Sequence, residues 1–285
     1  MDCPVMEEKT VIGIDIDKIK NKPDFITYQN VNMLTLMGSH AYGTNTPESD
    51  TDYYGFVVPP IEYLFPNTIG NIVGFGTQLK NFNQFEGQHL EDGKGSVFDI
   101  TIYNIARYFH LCMDGNPNMI DSLFTDKESV SFIDNIGQMV RDNRKLFLSQ
   151  LCYHRFKGMA FSHISRLKNR QREGNRLELI GRYGYDVKDA SHIIRLLGEL
   201  KQILLNGDLD LKENSKMILG VKQGNWTKEQ VLVYFDQQMS FMDKMMDEGK
   251  VYPPYAPDEK RIKSLLLWCI EETYGTLDKF GYYSS

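Results

Sequence analysis

The sequence predicts an α+β fold, with a small mixed β-sheet near the N-terminus followed by a C-terminal helical bundle. Three observations carry this expectation. Residues 31–58 and 81–104 contain β-prone apolar runs broken by Gly, Pro, Asn and Asp. From Tyr103 onward, apolar residues recur at three- and four-residue spacing almost to the end of the chain. The helical segments are separated by connections too short for a free linker, and the pattern changes near residues 115–130. The expected division is therefore 1–125 and 126–285.

The elements follow in order. VIGIDIDKI, residues 11–19, alternates like a short strand, and Pro23 interrupts whatever it forms. Val31–Met37 reads as an apolar strand, Gly38 and Ser39 as a tight turn, and a second strand starts with Asp50 and Asp52. Pro59 and Pro60 end it, because proline cannot donate to a ladder. Residues 61–80 contain Pro66, Gly70, Gly74 and Gly76 and read as a loop. NFNQFEGQH and SVFDITIYN, joined by EDGKG, read as a hairpin, and in the second strand Phe98, Ile100 and Ile102 share one face and Val97, Asp99 and Thr101 the other. Helices are expected at NIARYFHLCM, at PNMIDSLF with proline in its first turn, and over 132–145, 149–172, 187–205, 228–247 and 258–274.

Composition bounds the function. With 285 residues, 41% hydrophobic and 25% charged, the chain has an ordinary globular make-up, and low complexity is excluded. A net charge of −6 argues against a surface coated throughout with nucleic acid, so any polyanion must meet a local patch. Cys3, Cys112, Cys152 and Cys269 are scattered, without zinc-type spacing, which points to reduced thiols in the cytoplasm. The start MDCPVMEEKT lacks signal-peptide character, and the apolar run Leu265–Ile270 is too short to span a bilayer. A cytoplasmic protein with no membrane partner is expected.

The candidate chemistry lies in residues 31–58. Carboxylates two apart on a strand, Asp50 and Asp52, project from one face. They make an oxygen-rich, doubly negative site suited to Mg²⁺ or Mn²⁺, ions that combine a few carboxylates with phosphate oxygens. The Gly38-Ser39 turn offers backbone N–H groups and a hydroxyl for those oxygens. Asp99, mid-strand in a β-prone run, is costly unless a cation sits opposite, and a metal ion would be one. Tyr42 either stacks on a base or is a buried turn aromatic. His40 reads as a loop residue, and His110 and His154 as packing or helix surface.

Charge is uneven along the chain. Residues 141–188 hold twelve Lys or Arg against four acids, a segment that could receive an RNA or DNA acceptor. His163, Arg166 and Arg170 form one helical stripe, and Lys188, His192, Arg195 and Glu199 another, with Ile193, Leu197, Leu200 and Leu204 opposite as the core face. Such a stripe suits a phosphate-rich substrate, and equally describes a solvated helix.

The run GSHAYGTNTPESDTDYYG resembles the signature of the polymerase-β-type nucleotidyltransferase superfamily. Together with DITIYNIARYFHLCMDGNPNMIDSLF and KDASHIIRLLGELKQILLNGDLDL, it resembles the nucleotidyltransferases grouped with RNA repair. One departure is Tyr54, where that narrower family often has Arg. The resemblance implies that Asp50, Asp52 and Asp99 bind two Mg²⁺ ions and catalyse transfer of a nucleoside monophosphate from an NTP such as ATP to a hydroxyl acceptor. It further implies that Gly38 and Ser39 hold the β- and γ-phosphates, with Lys188, His192 and Arg195 as further nucleotide or acceptor contacts. A non-catalytic nucleotide-binding partner of antitoxin type and a small-molecule adenylyltransferase are the alternative readings.

Overall fold

The structure is a computed structural model that describes residues 14–47, 49–64, 82–91, 97–168 and 175–275. Its centre is a five-stranded mixed sheet built from β1 (Val31–Leu36), β2 (Thr51–Val57), β3 (Gln84–Glu91), β4 (Val97–Asn104) and β5 (Val130–Ile133), in the order β3-β4-β2-β1-β5. β2 and β4 run parallel and the other pairs antiparallel. Between the strands lie two single-turn helices, α1 (Gly38–Ala41) and α2 (Ile61–Leu64). The remaining helices are α3 (Ile105–Met113), α4 (Pro117–Phe124), α5 (Asn135–Asp142), α6 (Leu151–Lys168), α7 (Asn175–Tyr183), α8 (Val187–Asn206), α9 (Ser215–Lys222), α10 (Lys228–Asp247) and α11 (Glu259–Tyr274). This is the α+β arrangement that the residue pattern predicts.

Strand alternation sorts the side chains into two cores. Tyr53, Val57, Phe98, Ile100 and Ile102 face one side of the sheet and pack with Ile16, Ile19 and Ile26 of the N-terminal segment. Phe56 faces the other side and joins Tyr108, Ile120, Phe156, Ile193 and Leu197 in the larger helical core. Asp52 and Tyr54 alternate with Tyr53, so they share the helical side with Phe56, which places the acidic end of β2 toward the helices.

Three expectations need correction. Residues 14–19 of the supposed first strand hold a 3₁₀ turn, Ile16–Lys18, because their isoleucines pack on the sheet without any strand to pair with; residues 11–13 lie outside the described residues. The helix expected over 132–145 is a strand, a helix and a 3₁₀ turn: β5, then α5, then Arg144–Phe147. The Asp134 carboxylate accepts the Gly137 N–H at 2.8 Å and so fixes where α5 starts, leaving VSFI free to pair with β1. The segment 61–80 begins with α2 instead of a loop, while residues 65–80, the EDGKG turn from residue 92, and residues 169–172 of the helix after 149 lie outside the described residues.

The long helices behave as expected at their ends. Asp186 caps α8 by accepting the Lys188 and Asp189 N–H groups, and Gly207, at φ 58°, ends it in the left-handed conformation. Thr227 and Gln230 form a capping box on α10. Helices α7 and α9 were not expected. No helix among the described residues is long and apolar enough to cross a membrane. Cys112, Cys152 and Cys269 are buried free thiols, and Cys3 lies outside the described residues.

Candidate active site

β2 and β4 are paired in parallel with Asp52 directly opposite Asp99. Neighbouring strands stand about 4.8 Å apart, so register alone brings these two residues side by side. Asp50 sits just ahead of β2, one residue before the strand that was expected to include it. The Asp52 carboxyl is held above its ordinary value by burial first, then by the negative charges of Asp99 and Asp50, with His40 opposing. Asp52 therefore sits in a place that wants a positive partner.

Gly38 is the reason the turn can approach this carboxylate. Its φ is +60°, and a Cβ there would lie 2.6 Å from Asp52 Oδ2. Only glycine satisfies both the conformation and the contact. Gly38→Ala should destabilise the protein by about 1–2 kcal/mol from the left-handed backbone alone, and displace Asp52. A denaturant midpoint equal to that of the parent would refute this.

Gly38, Ser39, Tyr42, Thr44, Ser49, Asp50 and Asp52 form one wall of a pocket of about 220 Å³. Lys188, Ser191, His192 and Arg195 of α8, with Ile218 and Lys222 of α9, form the other. An acidic wall thus faces a cationic one across the pocket. Asp99 is not in the lining; its Oδ1 accepts the His89 N–H at 2.7 Å, where a bulge in β3 puts His89 at φ 52°. Among the described residues no three acidic, His or Cys side chains converge tightly enough to chelate a metal alone.

The basic helix stripes are placed unevenly. Lys188 is exposed at the pocket mouth. Arg195 lines the pocket, yet it is buried and its Nη1 is committed to the Tyr42 hydroxyl at 2.9 Å, to Glu199 at 3.1 Å and to Asp121. Tyr42 in turn donates to Asp121 Oδ2 at 2.7 Å, and its ring lies under the Arg195 guanidinium at 4.6 Å. Tyr42 is therefore a buried turn aromatic. Burial pushes both carboxyls up, Glu199 further than Asp121, while the Arg195 charge opposes it at each.

Much of the basic segment is matched by acids from elsewhere. Asp189, wholly buried, is met by His163 at 2.8 Å, Arg166 at 3.2 Å and Arg176 at 3.3 Å. Arg155 pairs with Asp114, Lys157 with Asp243 and Lys145 with Asp208. Arg170 and Arg172 lie outside the described residues.

His163 and His192 stack with ring centroids 4.8 Å apart. Burial, with Arg166 beside one and Arg195 beside the other, holds both below the usual histidine value, His192 far below. Unfolded, each titrates near 6.5. The unfolded chain then binds protons that the folded chain refuses, so stability is lost as pH falls below about 6.5, by at most about 1.4 kcal/mol per unit for each ring. Denaturant unfolding at pH 7.5 and 5.5 checks this, and His192→Asn should flatten the dependence; an unchanged slope would count against it.

Residue patterns did not reveal Lys222, Thr44 or the role of His40. Lys222 Nζ donates to Thr44 Oγ1 at 3.0 Å and to its carbonyl at 3.3 Å, and burial with nearby Lys188 pulls its pKa down. It ends the unremarkable helix α9, so only its partners mark it. His40 lies within electrostatic reach of Asp52, and its Nε2 is buried without a partner.

Residues 9–224 match the family described as RlaP, RNA repair pathway DNA polymerase beta family. The chain is also 35% identical over 115 residues to an uncharacterized 38.9 kDa protein of Enterobacteria phage T4, from the nrdC-mobD intergenic region. That match covers 40% of this chain and 32% of the phage protein, so the chain spans about a third of the curated relative's length. With the match extending over the sheet, the Gly38-Ser39 turn, the three aspartates and helix α8, this chain belongs to the RNA repair pathway DNA polymerase beta family of nucleotidyltransferases.

Proposed function

We propose that the protein is a metal-dependent nucleotidyltransferase moving a nucleoside monophosphate from an NTP to a hydroxyl on a nucleic-acid end. The observation that carries this reading is the two-walled pocket, with Asp50 and Asp52 beside the Gly38-Ser39 turn and Lys188 and Lys222 across from them. The donor set fits a hard cation: it is all oxygen, and one carboxyl is held up by burial and by two neighbouring charges. Since three protein ligands do not converge, substrate phosphate oxygens would have to complete the shell, as Mg²⁺ sites commonly use them. Asp50 and Asp52, with Asp99 as the third carboxylate, would hold Mg²⁺ or Mn²⁺, which when bound lowers the acceptor hydroxyl's pKa and offsets charge on the entering and leaving oxygens.

The protein's own groups do the rest. Gly38 and Ser39 present first-turn N–H groups and a hydroxyl to the β- and γ-phosphates. Lys188 and Lys222 offset triphosphate charge from the opposite wall. His192, neutral, contributes a hydrogen bond and no charge, and Arg195 braces Tyr42 and the turn it follows. On this reading the division near residue 125 separates the carboxylates from the cations that serve the same substrate.

Incubation with each labelled NTP, Mg²⁺ and a panel of RNA and DNA ends tests the proposal. Label incorporated into an RNA end, and lost in Asp50→Asn, is the expected result. Tight NTP binding without incorporation would replace it with a nucleotide-binding regulatory module, and turnover confined to small hydroxyl compounds with a small-molecule adenylyltransferase.

A further inference from the structure

A second cavity, of about 780 Å³, is larger than the carboxylate pocket and separate from it. It lies between Ala41 of α1, the connection from α4 to β5, helix α5 and residues 209–212. Its volume is in the range of small-molecule sites, roughly 300–1,000 Å³. The floor is apolar, with Phe124, Val130, Leu209 and Leu211, and one wall carries Arg141 and Arg144.

These two arginines differ from Arg107, Arg182 and Arg261, which also make no ion pair among the described residues, in that those three are exposed. Arg141 is 8% exposed, and its guanidinium donates to the Thr125 hydroxyl at 2.9 Å and to the Thr125 carbonyl. Arg144 lies over the Phe124 ring at 5.0 Å, donates to the Arg141 carbonyl at 3.0 Å, and keeps a buried Nε with no partner among the described residues. Neither makes an ion pair among the described residues, although Arg155, Arg166, Arg176 and Arg195 all do. The carboxylates in the lining are already met: Asp126 by Lys212 and the Ser129 N–H, Asp142 by the Gln138 amide, Asp210 by the Lys212 N–H.

A buried cation without a counter-charge is costly. The C-terminal end of α4, at Thr125, offsets part of that cost for Arg141 and offers nothing to Arg144 Nε. Burial first, and the nearby Arg144 charge, pull Arg141's pKa down, and Tyr108, Asp126 and Asp142 offset this only in part; an anion between the two arginines would add to that offset. Paired guanidiniums with free donors are the residue type that takes phosphate in a planar, two-point fashion. An exposed lysine, Lys127, stands at the rim.

We infer that this cavity is a second binding site for a nucleoside phosphate, with the phosphate on Arg141 and Arg144 and the base against the apolar floor beside Phe124. The ligand is either a free nucleotide or the terminal nucleotide of a strand. The inference stands on the arginine pair and does not depend on what the carboxylate pocket does.

Equilibrium dialysis of the full chain against labelled AMP, labelled adenosine and a labelled 5′-phosphorylated pentaribonucleotide tests it, with EDTA present so that no divalent cation recruits phosphate to the carboxylates. The expected result is saturable one-to-one binding of AMP or the pentanucleotide, with adenosine at least about tenfold weaker than AMP. Arg144→Ala should weaken binding about tenfold or more, the effect of losing a charge-assisted contact, and Lys188→Ala should leave it unchanged. Tighter binding of the pentanucleotide assigns the site to a strand end, and equal binding to a free nucleotide. The inference is overturned if neither phosphate probe saturates, if adenosine binds as well as AMP, if Arg144→Ala binds like the parent, or if Lys188→Ala takes the loss instead. The AMP-to-adenosine comparison uses the unaltered protein, so it decides the matter even if Arg144→Ala fails to fold.

Discussion

Asp52→Asn should lower nucleotide incorporation by roughly a thousandfold and at the same time raise the melting temperature of the metal-free protein. Both effects come from the same electrostatics. Asp52 is the partly buried carboxylate between Asp50 and Asp99, so its charge is the one a bound cation would meet most directly and the one the empty protein tolerates least. Asparagine keeps the shape that Gly38 approaches at close range, and removes the repulsion. After allowance for solvent screening at the pocket wall, the gain should be about 1 kcal/mol, or roughly 2 °C for a chain of this size. Incorporation assays in Mg²⁺ and calorimetry in EDTA read the two arms. Parent-like incorporation would sink the assignment of Asp52, and a lowered melting temperature would mean that a partner already satisfies its charge.

The largest loss of stability is expected from Arg195→Ala. Its guanidinium is buried against Asp121, Glu199 and the Tyr42 ring, and Asp121 Oδ1 is already without a partner. Removing the cation leaves a buried carboxylate facing a second carboxyl, and breaking such a pair by deleting one member costs about 3–5 kcal/mol. Tyr42 keeps Asp121 but loses the guanidinium over its ring, so the turn carrying Gly38 and Ser39 loosens. If Arg195 were instead a free triphosphate contact, Arg195→Ala would raise KM and leave the denaturant midpoint near that of the parent. Guanidinium unfolding beside NTP titration separates the two outcomes. Glu199→Gln should be far milder, because burial already disfavours the Glu199 charge and glutamine keeps an oxygen that can accept from Arg195.

The alternation that puts Asp50 and Asp52 on one face was legible because strand geometry is local, whereas the parallel register that sets Asp99 beside Asp52 joins segments far apart in the chain and entered only through the family resemblance. Gly38 was legible because its conformation is a property of the turn. The surroundings of Arg195 were not legible because they are not local. Spacing placed it on one stripe with Lys188, His192 and Glu199, but its counter-charge, Asp121, lies 74 residues away, and only packing reveals that the stripe turns inward. The ion pairs of the basic segment 141–188 were hidden for the same reason, since Asp114, Asp208 and Asp243 supply much of the opposing charge from outside the segment. β5 escaped notice because four residues carry too little alternation to compete with the helical pattern that follows.

β5 also bears on where the chain can be cut. β1 lies between β2 and β5, with Met33, Leu34 and Thr35 paired to Ile133, Phe132 and Val130, and with the Leu36 N–H bonded to the Ser129 carbonyl at 2.7 Å. A fragment stopping at residue 125 would keep VNMLTL and lose its outer neighbour, exposing a row of open backbone donors and acceptors on an apolar ribbon. Such a ribbon recruits another copy of itself, so the fragment would polymerise edge to edge. A cut at residue 125 would therefore open the sheet at β1.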